Sequence, residues 1–159
     1  MCGTVGLGRL VAEGNGRHLA RLRRLASDSR WRVREAAATA LQRWGDDDFD
    51  AMATEAERWA ARTPLEQRAA IVAVCEPRLL TTPDAARRAL DLVERVTESL
   101  PTSRDRVLRQ ALGYCWSVAV AALPEEGLPR FERLERSFDP DLQWVARANA
   151  KKARLVRLR

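Results

Sequence analysis

Apolar residues recur every three or four positions through nearly the whole chain, the spacing of one face of an α-helix. β-Branched residues are few and scattered, and no alternating run is bounded by turn residues, so the pattern predicts no strand. Caps and breakers divide the periodic text. Gly14-Asn15-Gly16 interrupts it first. Asp28 stands where it can cap a helix starting at 29–31. That helix carries Val33, Ala37, Ala40, Leu41 and Trp44 on one face and is expected to stop at Gly45. Asp46-Asp47-Asp48 reads as a solvated turn whose charge favours the next helix N-terminus, at 49–61. Thr63 caps and Pro64 opens the following helix, which Pro77 ends or bends. Thr82-Pro83 opens a helix to 100, and Pro101-Thr102-Ser103 starts a long one to 123. Segments 124–137 and 140–158 complete the series.

These helices pair into hairpins with short loops, at about 17–44, 49–80, 83–123 and 125–158. The second helices share a register: Arg34, Arg68, Arg109 and Arg147 fall at the same place, spaced 34, 41 and 38 residues apart. Asp28, Trp31, Val33 and Arg34 recur at matched offsets as Asp141, Trp144, Ala146 and Arg147. An internal repeat of this variable length predicts an all-α fold, an α-α superhelix or solenoid of about four hairpins. The 159 residues then form one repeat domain. Residues 1–15 are a Gly-rich segment or, over 4–13, one helix of a partial repeat.

The run Asp28-x-x-x-x-Val33-Arg34-Glu35-Ala36-Ala37-Ala38-Thr39-Ala40-Leu41 resembles the second helix of a HEAT repeat, D-x-x-x-x-V-R-x-x-A-x-x-A-L. Leu108-Arg109 with Ala111 keeps part of it, and the resemblance spans about 17–158. It implies that second helices line a concave face and that the repeated Asp and Arg tie successive repeats together. The segment 66–72 is also similar to a second helix of the HEAT-like alkylpurine DNA glycosylases, but no catalytic residue of those enzymes maps onto this chain. The tetratricopeptide pattern is absent, and Thr63-Pro64-Leu65-Glu66 matches the ankyrin opening only once and without its His.

Charge changes the picture at the ends. Lys+Arg number 28 against 22 Asp+Glu, a net charge of +6, and 26 of the 28 are Arg. Residues 1–44 carry +6, 45–65 carry −4, 66–142 carry −2, and 143–159 carry +6 with no acid. On a continuous last helix, Arg147, Lys151, Arg154 and Arg157 form one cationic stripe beside an apolar side of Trp144, Ala148, Leu155 and Leu158. Arg17, Arg21 and Arg24 form a second stripe in the first hairpin. Two roles suit such stripes: a polar cap on the end of a repeat array, or contact with phosphates or an acidic partner. Arg34, Arg68, Arg109 and Arg147 likewise are either structural links between repeats, the preferred role, or a row of cations for a partner. Trp31 and Trp144 start second helices beside Arg34 and Arg147 and can reach a concave rim. The other Trp residues read as packing between repeats. Gly113, before Tyr114-Cys115-Trp116, suggests a close helix approach.

Catalytic chemistry has little support. His18 is the only histidine and has no evident acid–base partner. Cys2, Cys75 and Cys115 are far apart and form no zinc motif or disulfide framework. Gly3, Gly6 and Gly8 follow no strand and precede no Lys-Ser/Thr, so they make no phosphate loop. Asp46–Asp50 lacks the Gly and Glu of a calcium loop. No cofactor or metal is expected. No apolar run is long enough to span a membrane, and the start lacks the plan of a signal peptide, so a cytoplasmic protein with reduced thiols is expected. The expected function is a non-catalytic interaction or scaffold module that binds a protein partner through its concave face and basic ends. The alternative is a nucleic-acid-binding protein of DNA-repair type, with or without glycosylase activity. A third possibility is an accessory of the lyase-associated HEAT-repeat sort.

Overall fold

A computed structural model describes residues 2–14 and 17–159. Asn15 and Gly16 of the expected first break lie outside the described residues. Those described are all-helical, without strands, in ten α-helices and one short 3-10 helix. They divide into two compact units, Met1–Val74 and Cys75–Arg159.

The N-terminal unit contains α1 (Cys2–Ala12), α2 (Arg17–Ala26), α3 (Trp31–Asp47), α4 (Phe49–Ala60) and α5 (Pro64–Val74). Helix α1 packs on α3, burying Leu7 and Val11, and α3 packs in turn on α5. Gly8 of α1 serves that contact: a Cβ on it would overlap the Ala40 carbonyl oxygen of α3. Apolar stripes of α3, α4 and α5 close the core, with Leu41, Met52, Trp59 and Ile71 fully buried. Each such side chain stabilises the unit by about 1.5–3 kcal/mol. The Trp59 indole N–H is satisfied by Glu55 at 2.8 Å.

Two helix ends differ from the sequence expectation. Gly45 does not stop α3; it is buried inside the helix, which runs on to Asp47. The stop is Asp48, held extended because its carboxylate accepts from the Ala51 N–H at 2.9 Å and caps α4. Asp28 is not the cap of α3. Arg30 is the N-cap residue, and Asp28 accepts from the Arg30 backbone N–H and guanidinium, each at 2.9 Å, in a turn before the helix. Thr63 and Glu66 form a reciprocal cap: the carboxylate of Glu66 accepts from the Thr63 N–H at 3.1 Å and its hydroxyl at 2.7 Å.

The C-terminal unit contains a 3-10 turn at Pro77–Leu79, then α6 (Pro83–Ser103), α7 (Arg106–Ala122), α8 (Pro124–Glu135), α9 (Pro140–Ala150) and α10 (Ala153–Val156). Helix α7 is central and packs against α6, α8, α9 and α10. Trp116 of α7 is fully buried; its indole N–H donates to the Thr97 hydroxyl at 2.9 Å, and its ring lies 6.0 Å from that of Phe131.

Here too the chain corrects two expectations. Pro101 does not start a helix; it is inside α6, one turn from its end. The reversal comes from Arg104, in the left-handed region at φ 50°, followed by Asp105, whose carboxylate accepts from the Leu108 N–H at 2.7 Å and caps α7. The last helix is not continuous to 158 either. Helix α9 ends at Ala150, Lys152 is extended, and α10 turns back onto α7. That break buries Leu155 completely, which a straight helix leaving α7 would not do.

Candidate binding surface on the C-terminal unit

The repeated arginines have individual partners. In the N-terminal unit, the Arg34 guanidinium donates to the carbonyls of Asp28 and Ser29 at 2.7 and 2.8 Å, bracing the turn before its own helix. Arg68, largely buried on α5, pairs with Glu35 on α3 and leaves its Nη1 without a partner. In the C-terminal unit, Arg109 on α7 pairs with Asp141 at the start of α9, at 2.6 Å. Arg147 is exposed, and among the described residues its side chain bonds only to Gln143, at 3.5 Å. Arg34, Arg68 and Arg109 are thus committed to protein groups. Arg104 also pairs with Asp139 and Asp141, at 2.8 and 2.9 Å. Hydrogen bonds from Arg104 and Arg109 hold the Asp141 carboxyl below the usual carboxylate range.

The C-terminal unit carries two contrasting surfaces. On α6 and α8 three arginines, Arg87, Arg130 and Arg133, are neutralised, while Arg95 is exposed without an ion pair among the described residues. Arg87 bridges Asp84 and Glu126 at 2.8 and 2.6 Å. Arg130 reaches Glu94 at 3.2 Å and also meets Asp91, and Arg133 reaches Glu94 at 3.0 Å. The Arg87 guanidinium lowers the pKa of Glu126, and the carboxylates raise those of Arg87 and Arg130.

On α7, α9 and α10 the cations are mostly without carboxylates. Arg106, Arg147, Lys151, Lys152, Arg154 and Arg157 have no ion-pair partner among the described residues. Two aromatic rings lie among them, Tyr114 at 42% and Trp144 at 36% exposure, whereas Trp116 of the same unit is buried. The Trp144 ring rests on Gly113, where a Cβ would come within 2.7 Å of it, so only glycine lets the ring lie so close to α7. Arg109 stands 4.9 Å from the centre of that ring. One residue along α7, Tyr114 has Arg154 at 4.9 Å and Lys152 at 5.8 Å from its ring centre. Arg154 also donates to the Tyr114 hydroxyl at 3.3 Å. Two aromatic–cation groups thus meet α7 at adjacent residues: Trp144 with Arg109 at Gly113, and Tyr114 with Lys152 and Arg154. Beyond Arg154 lies an apolar cleft of about 330 Å³ lined by Pro77, Leu80, Val118, Ala121 and Ala122.

Buried Asn149 fixes α9 to α7. Its side-chain carbonyl accepts from the Ser117 N–H at 2.8 Å, and its amide donates to the carbonyls of Leu112 and Val145 at 2.9 and 2.8 Å. Its own carbonyl accepts from the Lys152 N–H at 2.8 Å, placing the two lysines at the turn.

The cationic stripe expected on the last helix is not one stripe, because the chain bends at Lys151–Lys152. The bend brings Arg154 to Tyr114, while Arg157 is exposed beyond α10. Arg147 lines a separate groove of about 280 Å³ with Glu135, Gln143, Ala146 and Ala150. Tyr114 and Lys152 were not singled out by the sequence. Arg106, Gln110 and Tyr114 at four-residue spacing do mark an exposed stripe on α7, which was the available signal. In the N-terminal unit, Trp31 is 60% exposed beside Arg32, 5.8 Å from its ring centre. Arg17, Arg21 and Arg24 are exposed on α2.

Cys75 and Cys115 are buried free thiols. Burial, then a hydrogen bond with Cys115, pushes the Cys75 thiol well up, which leaves it protonated and unreactive. No group of three His, Cys, Asp or Glu side chains among the described residues is arranged to hold a metal ion. No helix among them is long and apolar enough to cross a membrane. Comparison of the chain with family models, curated proteins and solved structures finds no match.

Proposed function

We propose that this chain is a non-catalytic, cytoplasmic interaction module of HEAT-like hairpins, repeated as in an α-solenoid, which holds a polyanionic partner on the α7, α9 and α10 surface. The repeat is supported by the packing within each unit, where second helices lie on second helices: α3 on α5, and α7 on α9. One observation carries the function. The unit pairs Arg87, Arg130 and Arg133 with carboxylates on α6 and α8, yet leaves Lys152 and Arg154 without carboxylates at exposed Tyr114, with Lys151 beside them in the chain. Uncompensated like charge gathered at one place destabilises a fold through self-repulsion and attracts anions.

Retention on heparin as salt is raised tests this. The native chain is expected to elute well above the salt that releases a variant carrying Lys151→Glu, Lys152→Glu and Arg154→Glu. A control with the same change of charge elsewhere in the unit, Arg95→Glu, Arg133→Glu and Arg136→Glu, is expected to shift elution far less. Equal shifts would mean that net charge alone governs binding, and the surface would lose its role. The fold of each variant is checked by its helical circular dichroism.

A further inference from the structure

We infer that the polyanion is a single-stranded nucleic acid, with bases stacked on Tyr114 and Trp144 and phosphates held by Lys151, Lys152 and Arg154. This rests on the reading of the surface as a polyanion site and adds the identity of the occupant. The rings supply the distinction. Cations alone serve any polyanion, but rings that stay 42% and 36% exposed beside them, each with a guanidinium over it, can also take the flat face of an unpaired base. In a duplex the base faces are stacked inside and only their edges show, so a duplex offers phosphates to the cations and nothing to the rings. An acidic peptide satisfies the cations and likewise leaves the rings unmatched.

The geometry suits a strand rather than a point ligand. Trp144 of α9 rests on Gly113 of α7 and Tyr114 is the next residue of α7, and each ring has a cation 4.9 Å from its centre. Tyr114 meets the Lys152–Arg154 turn directly. Arg109 over Trp144 is already held by Asp141, so that end adds exposed ring rather than free charge, while the free charges gather at Tyr114. Arg106, exposed one helical turn before Gln110 on the same stripe of α7, extends the positive potential in the other direction.

The test is fluorescence anisotropy of the full chain with three labelled probes: a thymidine oligonucleotide of roughly 16 nucleotides, the matched duplex, and poly-glutamate. The single strand is expected to bind tightest, with log K falling against log salt at a slope of about −2 to −3 for three or four phosphates neutralised. Tyr114→Ala is expected to weaken single-strand binding about fivefold or more. Tyr114→Phe keeps the ring and is expected to retain affinity. Trp144→Ala gives the second readout if its folded population is maintained. Duplex or poly-glutamate binding at least as tight as the single strand overturns the inference while leaving the polyanion surface standing. So does a Tyr114→Ala variant with native single-strand affinity. Failure of all three probes and of heparin to bind overturns both.

Discussion

Asn149→Ala tests the joint on which the C-terminal unit, and the placement of its two lysines, depends. Asn149 is fully buried and its side chain makes three hydrogen bonds, to Ser117 N–H, Leu112 C=O and Val145 C=O, all between 2.8 and 2.9 Å. The alanine variant keeps the helix propensity of the site, so the loss is one of satisfaction and packing. A buried N–H left without an acceptor costs about 1–3 kcal/mol. The Leu112 carbonyl lies inside α7 and can keep a helical partner, so its loss adds less. A total of about 2–4 kcal/mol follows, a large share of the roughly 5–15 kcal/mol that holds a small domain together. Urea unfolding followed by the helical circular dichroism signal measures it, with the transition of Gln143→Ala as comparison. Gln143 is a half-buried amide on the same helix that donates to the Ser137 carbonyl at 3.2 Å and accepts from exposed Arg147 at 3.5 Å, and about 0.5–1 kcal/mol is expected there. The denaturant slope should be unchanged in both variants. A loss below about 1 kcal/mol for Asn149→Ala would show that apolar contacts alone seat α9, and the proposed joint would be refuted.

Other predictions are independent of that joint. Gly8→Val is expected to destabilise the N-terminal unit by about 1–3 kcal/mol, because the new side chain overlaps the Ala40 carbonyl and α1 must move off α3; a thermal melt with unchanged midpoint would contradict it. Thr63→Ala removes the hydroxyl that donates to Glu66 and is expected to cost about 1 kcal/mol in urea unfolding, with Thr63→Ser recovering most of it. Acid should weaken both units. Arg30 holds the folded Asp28 carboxyl down at about 2, and Asp141 and Glu126 are lowered as well, so these groups bind protons less readily folded than unfolded. Their stabilisation is therefore present above the unfolded carboxylate pKa of about 4 and is lost as pH falls towards 2. Melting temperatures that stay level from pH 5 to pH 2.5 at low salt would rule this out.

Much of the helical text was legible because capping and periodicity are local. Thr63 and Thr82 begin their helices as their hydroxyls dictate, and Pro64, Pro83, Pro124 and Pro140 sit at first turns, where no donor is missing. The same local logic failed where a neighbour decided. Gly45 reads as a terminator, but it lies in a helix whose end is set three residues later by Asp48 capping α4. Pro101 reads as a start, but Arg104 in a left-handed conformation makes the turn.

By itself the sequence determined that this protein is built of helices, roughly where most begin, and that its C-terminal end is basic, since all three depend on composition and three- or four-residue spacing. Only the tertiary structure decided which arginines are spent. Arg68 and Arg109 look like Arg147 in the repeat register, yet only their distances to Glu35 and Asp141 show that they are already paired. Only packing decided that the last helix breaks, because the gain lies in burying Leu155 and in the bonds of Asn149 to α7, partners more than thirty residues away. That break turns a linear run of cations into a cluster around Tyr114, the arrangement on which the proposed function rests.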